Sequence, residues 1–246
     1  MNKLIAFDVY SFMAHFRKFY TNSSSLSYYF PPKTVVAGMI AGILGFKRDT
    51  YYEIFDEKAK IAVEIRTPLR KKIQTLNYLS VKEPKHTTGI DRNTQVPVEF
   101  VMPKFDFKMV IYRIYFAHED KNLYDNLKQQ LKQNKYKYPP YMGITELPAV
   151  TRYIGEFEFQ EFVSHEKFEI STPVRVETVH GIKELFNFKG NTNIHKDKMP
   201  ESFKAGRFLK QTANYLFRPD AKPMVLTLTS NLYKLNVNPV KYISFL

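Results

Sequence analysis

Ser27-Tyr28-Tyr29-Phe30-Pro31-Pro32-Lys33-Thr34, with the apolar run over residues 35–46 that follows it, is the stretch from which the rest of the chain can be read. A double proline cannot lie inside a central strand, so it separates an extended segment from what comes next. Thr34 is placed to cap a helix whose first turn starts at Val35. Val35, Val36, Met39, Ile40, Ile43 and Leu44 then recur at helical spacing and would face a core. Gly38, Gly42 and Gly45 line another side, where the helix can approach a sheet or a second backbone closely. The run falls short of the roughly twenty residues a bilayer span needs, so the glycines read as soluble packing and not as a membrane dimerisation face.

Upstream, residues 4–16 are extended. Ile5, Phe7 and Val9 alternate in one phase and Phe12, Ala14 and Phe16 in the other, which predicts one long strand with a bulge near Ser11. Downstream, a short helix is expected over 50–56, with Tyr51, Tyr52 and Phe55 on or near its face. A half-buried strand follows over 61–66, where Ile61, Val63 and Ile65 oppose Ala62, Glu64 and Arg66. Arg66, Arg70, Lys71 and Lys72 form a basic cluster at its exit. Residues 80–103, carrying Lys82, Lys85, His86, Arg92, Pro97 and Pro103, read as a long loop of the kind that is functional or mobile in a compact domain. A strand at 109–116, a helix at 119–134 with Leu123, Leu127 and Leu131 as its buried stripe, and a strand at 151–163 complete the amino-terminal half.

That order predicts an α+β protein. Its core is an RRM-like or ferredoxin-like βαββαβ domain over 1–163 with an antiparallel sheet. A thumb-like loop insertion sits at about 80–103 and a tyrosine-rich, glycine-bearing loop at 136–149. Gly143 in that second loop permits a positive φ or a close backbone approach. Residues 164–246 read as a smaller β-rich region. Val174, Val176 and Thr178 alternate, 224–229 is a strand, 240–245 closes a sheet, and 188–206 is loop.

The 246 residues can bury a substantial core. They include 21 Phe and 17 Tyr, and 44% of the chain is hydrophobic, which excludes a disordered basic tail. The absence of cysteine rules out disulfides and thiolate metal sites and fits a cytoplasmic protein. No secretory signal is expected, because Asp8 interrupts the early apolar segment and Lys3 stands alone as a cation there. A formal net charge of +13 points to a polyanion partner. Interleaved aromatics favour single-stranded RNA over an anionic membrane surface, because RNA is held by stacking as well as by phosphate pairing.

Phe16-Arg17, Ser27-Tyr28, Pro31-Pro32-x-Thr34 and a helix with Gly38 that closes on Leu44-Gly45 resemble the start of the CRISPR-associated protein five family. These are RAMP-superfamily subunits of type I Cascade complexes. The glycine loop is similar too: the family reads Tyr-Leu-Gly-x-x-x-x-Pro, and Tyr141, Gly143, Glu146 and Pro148 match. The family often places arginine after that glycine, whereas Ile144 stands here, so backbone amides or Lys137 would have to supply a phosphate contact. Lys198-Met199-Pro200 and Arg207 form a weaker match.

The resemblance implies a subunit that grips the five-prime handle of a mature CRISPR RNA. It would cap one end of a Cascade complex, of type I-B by its wording, beside a backbone subunit and the large subunit. Target DNA would be met through the assembled complex, with no cofactor, no metal and no membrane. The expected RNA-binding residues are Arg17, Tyr28, Lys33, Arg66, Arg70, Lys82, Lys85, His86, Arg92, Tyr141 and Gly143. Lys33 gains weight from its place at a helix amino terminus, where amides and dipole favour anions.

No Walker loop, dinucleotide fingerprint, nucleophile elbow or zinc-helix spacing is present. The RNA-binding reading has two rivals: a scaffold that touches only protein, its basic surface meeting acidic subunits, and a metal-independent endoribonuclease that processes repeat RNA. Such chemistry needs a base for the ribose hydroxyl, an acid for the leaving oxygen and a cation for the phosphorane. His86 and Lys85, with Tyr51 or Tyr52, have that composition.

Overall fold

A computed structural model of the chain describes residues 3–80, 83, 93–181 and 193–246. Among these the elements run β1 (Lys3–Ser11), β2 (Phe16–Arg17), β3 (Ser27–Tyr28), α1 (Lys33–Leu44), α2 (Tyr52–Asp56), β4 (Ala59–Ile65), β5 (Leu69–Leu79), β6 (Asn93–Pro103), β7 (Val110–His118), α3 (Lys121–Gln133) and β8 (Val150–Glu161). They continue through β9 (Phe168–Ile170), β10 (Val174–Arg175), β11 (His195–Lys204), β12 (Phe208–Phe217), β13 (Met224–Leu226), β14 (Tyr233–Leu235) and β15 (Lys241–Ile243). The protein is α+β, with a mixed main sheet ordered β13-β9-β15-β14-β8-β1-β7-β4. Its β8-β1-β7-β4 portion is antiparallel throughout.

Period-two alternation in β1 feeds two cores. Ile5, Phe7 and Val9 face the helices, joining Val36 and Ile40 of α1 and Leu127 and Leu131 of α3. Leu4 and Ala6 face the other way, under Tyr233, Leu235, Ile243 and Phe245. The segment after residue 164 therefore continues the same sheet and covers part of its outer face. For that reason β4 is buried on both sides and not half-buried: Ala62 and Glu64 lie beneath this cover. Glu64 tolerates burial because Tyr115 donates its hydroxyl at 2.6 Å and Arg66 and Lys241 each approach at 2.8 Å. Burial alone would raise its carboxyl, and these partners hold it below the ordinary value.

Several expectations need correction. The first strand does not run to residue 16. It ends at Ser11, its one bulge lies at Ala6/Phe7, and Phe12 is 72% exposed. Ala14 and Phe16 return to the helix-side core after the break. Thr34 does not cap α1, which begins at Lys33 behind Pro32 with no side-chain cap. The helix 119–134 does have a capping side chain: Asp120 accepts from the amides of Asn122 and Leu123.

Residues 93–103 are not loop but strand, paired along their whole length with β5. Pro97 and Pro103 fit there because β6 is a ribbon edge. The 188–206 loop is likewise overturned from residue 195 onward, where β11 pairs with β12. Val176 and Thr178 belong to a single 3-10 turn and not to a strand.

Candidate nucleic-acid interface

The glycine side of α1 is where distant segments meet. Gly45 ends the helix at φ +85°, and the backbone of the 136–149 loop lies directly across that end. The amides of Lys137 and Tyr138 donate to the carbonyls of Ile43 and Gly42 at 3.0 and 3.2 Å. Both carbonyls lie in the last turn, where a helix runs short of its own donors, and that of Gly42 also accepts from the Gly45 amide at 3.1 Å. A Cβ at Gly45 would lie 2.7 Å from the Lys137 side chain, and one at Gly38 would lie 2.9 Å from the Tyr51 hydroxyl. The small-residue face thus seats Lys137, Tyr138 and Tyr51 side by side.

The Tyr52 ring lies 4.9 Å from that of Tyr51, tilted by 50°, and Tyr52 donates its hydroxyl to Asp49, which also receives Arg207 at 2.8 Å. The Tyr52 and Arg207 contacts hold the Asp49 carboxyl below its usual value. Burial, with Asp49 beside it, pushes the Tyr52 phenol up to about 12. Tyr51 is also pushed up, first by burial, and it lies within electrostatic reach of Arg207 and Tyr141. Both phenols are therefore neutral donors near neutral pH.

The glycine loop is fixed onto the strand break. His15 donates its amide to the Met142 carbonyl at 3.0 Å, and Met142 donates to Leu147 at 2.8 Å. Gly143 has φ +94°, and a Cβ there would stand 2.0 Å from the His15 carbonyl oxygen. No side chain fits, because both the backbone conformation and the contact exclude one. The loop presents Tyr138 at 55% and Tyr141 at 44% exposure, with Lys137 exposed beside them.

Of the residues picked from sequence, Tyr141, Gly143 and Tyr51 come together here. Arg17 is exposed on β2 and donates to the Thr21 carbonyl at 3.1 Å. Arg66 is partly exposed beside Glu64, and Arg70 stacks 4.4 Å above the Phe105 ring. Tyr28 is a correction. It is fully buried, with its hydroxyl on the Lys198 carbonyl at 2.8 Å, so its ring has no face for a base. Lys33 is half-buried and donates to the Asp56 carbonyl at 2.8 Å; burial pushes its ammonium down. Lys82, Lys85, His86 and Arg92 lie outside the described residues.

Sequence reasoning named Lys137 only as a substitute phosphate contact, Tyr52 only as an alternative to Tyr51 and Arg207 only as a weak family match, and it did not single out Tyr138. The tyrosine density of 136–141 and the Lys198–Arg207 match were the signals available. Nothing in the sequence announces Glu99, which ties Lys71 at 2.8 Å and the Ser27 amide at 2.9 Å into one buried knot. His15 closes that knot. Its Nδ1 donates to the Glu99 carbonyl at 2.8 Å and its Nε2 lies 2.8 Å from Ser25 Oγ. Among the described residues no cluster of His, Asp and Glu could hold a metal, and no helix is long and apolar enough to cross a membrane.

No curated protein matches the sequence. Solved structures share the fold at low identity. A crystal structure of a CRISPR protein from Archaeoglobus fulgidus aligns at TM-score 0.61 and 10% identity over 98% of both chains. A chain of a CRISPR RNA-guided surveillance complex aligns at TM-score 0.50 and 10% identity, over 92% of this chain and 91% of that one. A chain of the Type III-B Cmr-beta complex bound to cognate target RNA and AMPPnP aligns at 0.50 and 12%, over 91% and 86%. Residues 4–208 match the family described as CRISPR-associated protein (Cas_Cas5), and the chain accordingly belongs to that CRISPR-associated family.

Proposed function

We propose that this chain is the CRISPR RNA-binding subunit of a type I Cascade surveillance complex, holding the five-prime handle and capping the assembly without cutting RNA. The observation that carries this reading is the convergence on the glycine face of α1. Tyr138, Tyr141 and Lys137 of one loop stand beside Tyr51, with Tyr52 and Arg207 behind them. Tyrosine faces can stack on unpaired bases, Lys137 can pair with phosphate, and the exposed Tyr138 and Tyr141 hydroxyls can donate to phosphate or base oxygens. The β8-β1-β7-β4 order, with its antiparallel neighbours, supports the RRM-like reading of the core. Likeness to a chain of an RNA-guided surveillance complex supports a place in an assembly of that kind. We read the backbone and large subunits as its neighbours, target DNA as reached only through the complex, type I-B as the subtype, and the cytoplasm as its location.

The carrying experiment titrates labelled handle RNA against salt. With about five phosphates neutralised, log affinity falls against log salt with a slope of roughly three to four. Salt-insensitive or absent binding would refute the reading. Incubation with repeat RNA in EDTA separates it from its enzymatic rival: intact RNA is expected, and sharp cleavage that vanishes in His86→Ala would replace it.

A further inference from the structure

The outer face of the main sheet is covered over only part of its area. Leu4 and Ala6 lie under the C-terminal strands together with Ala62 and Tyr115. Further along the same face the register brings Asp8 opposite Arg113 and Arg152, then Tyr10 opposite Val150. Here the cover by described residues stops. Val150 is 64% exposed, and Phe12, just past the strand end, is 72% exposed. Arg152 is exposed as well, and Tyr10 is half-buried.

The charges are already sorted. Arg113 grips Asp8 with two hydrogen bonds of 2.7 and 2.9 Å, and Arg66 and Lys241 occupy Glu64. Arg152 has no carboxylate partner among the described residues. Two ring-bearing positions bordered by guanidinium groups, with both carboxylates neutralised, suit a single-stranded nucleic acid. Its bases offer π-faces and its phosphates offer charge. An apolar protein segment would cover the rings but leave Arg152 uncompensated beneath it.

The same end of the sheet meets the glycine loop, which runs directly into β8 at Val150, and Ser11 Oγ at the end of β1 donates to the Pro148 carbonyl at 2.9 Å. We propose that the open sheet end carrying Tyr10, Phe12, Arg66 and Arg152 is a second contact surface, for the RNA strand as it leaves the glycine loop. The proposal rests on the handle reading above. A handle at the five-prime end leaves only three-prime nucleotides to follow, and four strands offer room for two or three stacked bases.

The test titrates the full chain with two labelled single-stranded RNAs. One is the repeat-derived five-prime segment, and the other is the same segment extended at its three-prime end by about four nucleotides. The extended RNA is expected to bind about tenfold tighter. The double substitution Phe12→Ala and Arg152→Ala removes that gain and leaves the short RNA unaffected, with an unchanged unfolding midpoint as the folding control. Equal affinity of the two RNAs, or a gain that survives the substitutions, overturns the inference and leaves the handle reading standing. Failure of the short RNA to bind overturns the handle reading, and this one with it. A variant that binds both RNAs normally but no longer joins a neighbouring protein subunit marks the face as a protein interface and overturns the inference.

Discussion

The two long ribbons of this protein are close in length and opposite in behaviour. β5 and β6 are eleven residues each, and β11 and β12 are ten each. The β11–β12 register shifts twice between Pro200 and Phe203, and such bulges bend a ribbon. Bent in this way, it lies on α1 and α2. Tyr52 contacts Phe203 at 5.9 Å, and Arg207 and Lys210 pair with Asp49 and Asp56. The β5–β6 register runs from Leu69–Pro103 to Leu79–Asn93 without a shift. Among the described residues it is tied to the body along its base half, through Val101 to Ala14, Val98 to Ser25, and the Glu99 knot. Beyond that, Ile73, Tyr78 and Leu79 are about half exposed. Bulges turn one ribbon into part of the body; their absence leaves the other standing off it with apolar side chains open to a partner.

This contrast can be broken by substitution, and the largest effect is expected where both ribbons' surroundings depend on the strand break. Gly143→Ala forces a Cβ onto the His15 carbonyl and should cost about 3 kcal/mol in denaturant unfolding. A change under 1 kcal/mol would show that the loop can shift without loss. Glu99→Ala strands the half-buried Lys71 ammonium and frees the Ser27 amide. It should cost about 2 kcal/mol and raise hydrogen exchange at the base of the β5–β6 ribbon alone.

The same base should respond to pH. Burial holds His15 below its ordinary value, so the unfolded chain binds the proton more readily. The contribution of this histidine is present above about pH 6.5 and is lost as pH falls through the lowered folded value. Unfolding free energy measured from pH 7 down to 5 should therefore fall, and His15→Gln should flatten that slope. An identical slope in the variant would assign the dependence elsewhere.

Smaller effects separate the ribbons. Tyr78→Ser with Leu79→Ser should leave stability within about 0.5 kcal/mol, because neither side chain is buried, yet weaken co-purification with neighbouring subunits. Unchanged assembly would show the free ribbon to be unused. Arg207→Gln releases Asp49 at the exposed tip of the bent ribbon. It should change global stability least, while raising local exchange around residues 204–208.

Much of the candidate site was legible where the signal was local. Gly143 needed only its own φ, and the glycine side of α1 did receive a second backbone at its carboxyl end, at Gly42 and Ile43, while Gly38 meets the Tyr51 side chain. The helix periods around Leu123, Leu127 and Leu131 placed those side chains in the core. Tyr28 failed because burial is set by what folds over a residue, here Lys198, 170 positions away. Residues 93–103 failed because prolines count against a strand, and an edge of a two-stranded ribbon excuses them.

By itself the sequence determined the cationic, tyrosine-rich character of the chain, the helix after Pro31-Pro32, the glycine at the strand break and the family wording of the first half. Those properties belong to single residues or to neighbours within a few turns. Only tertiary structure decided which ribbon is pinned, which tyrosines keep a free face, and how much of the sheet's outer side is left open. Each of these depends on long-range cover by segments whose own periodicity is silent about where they land.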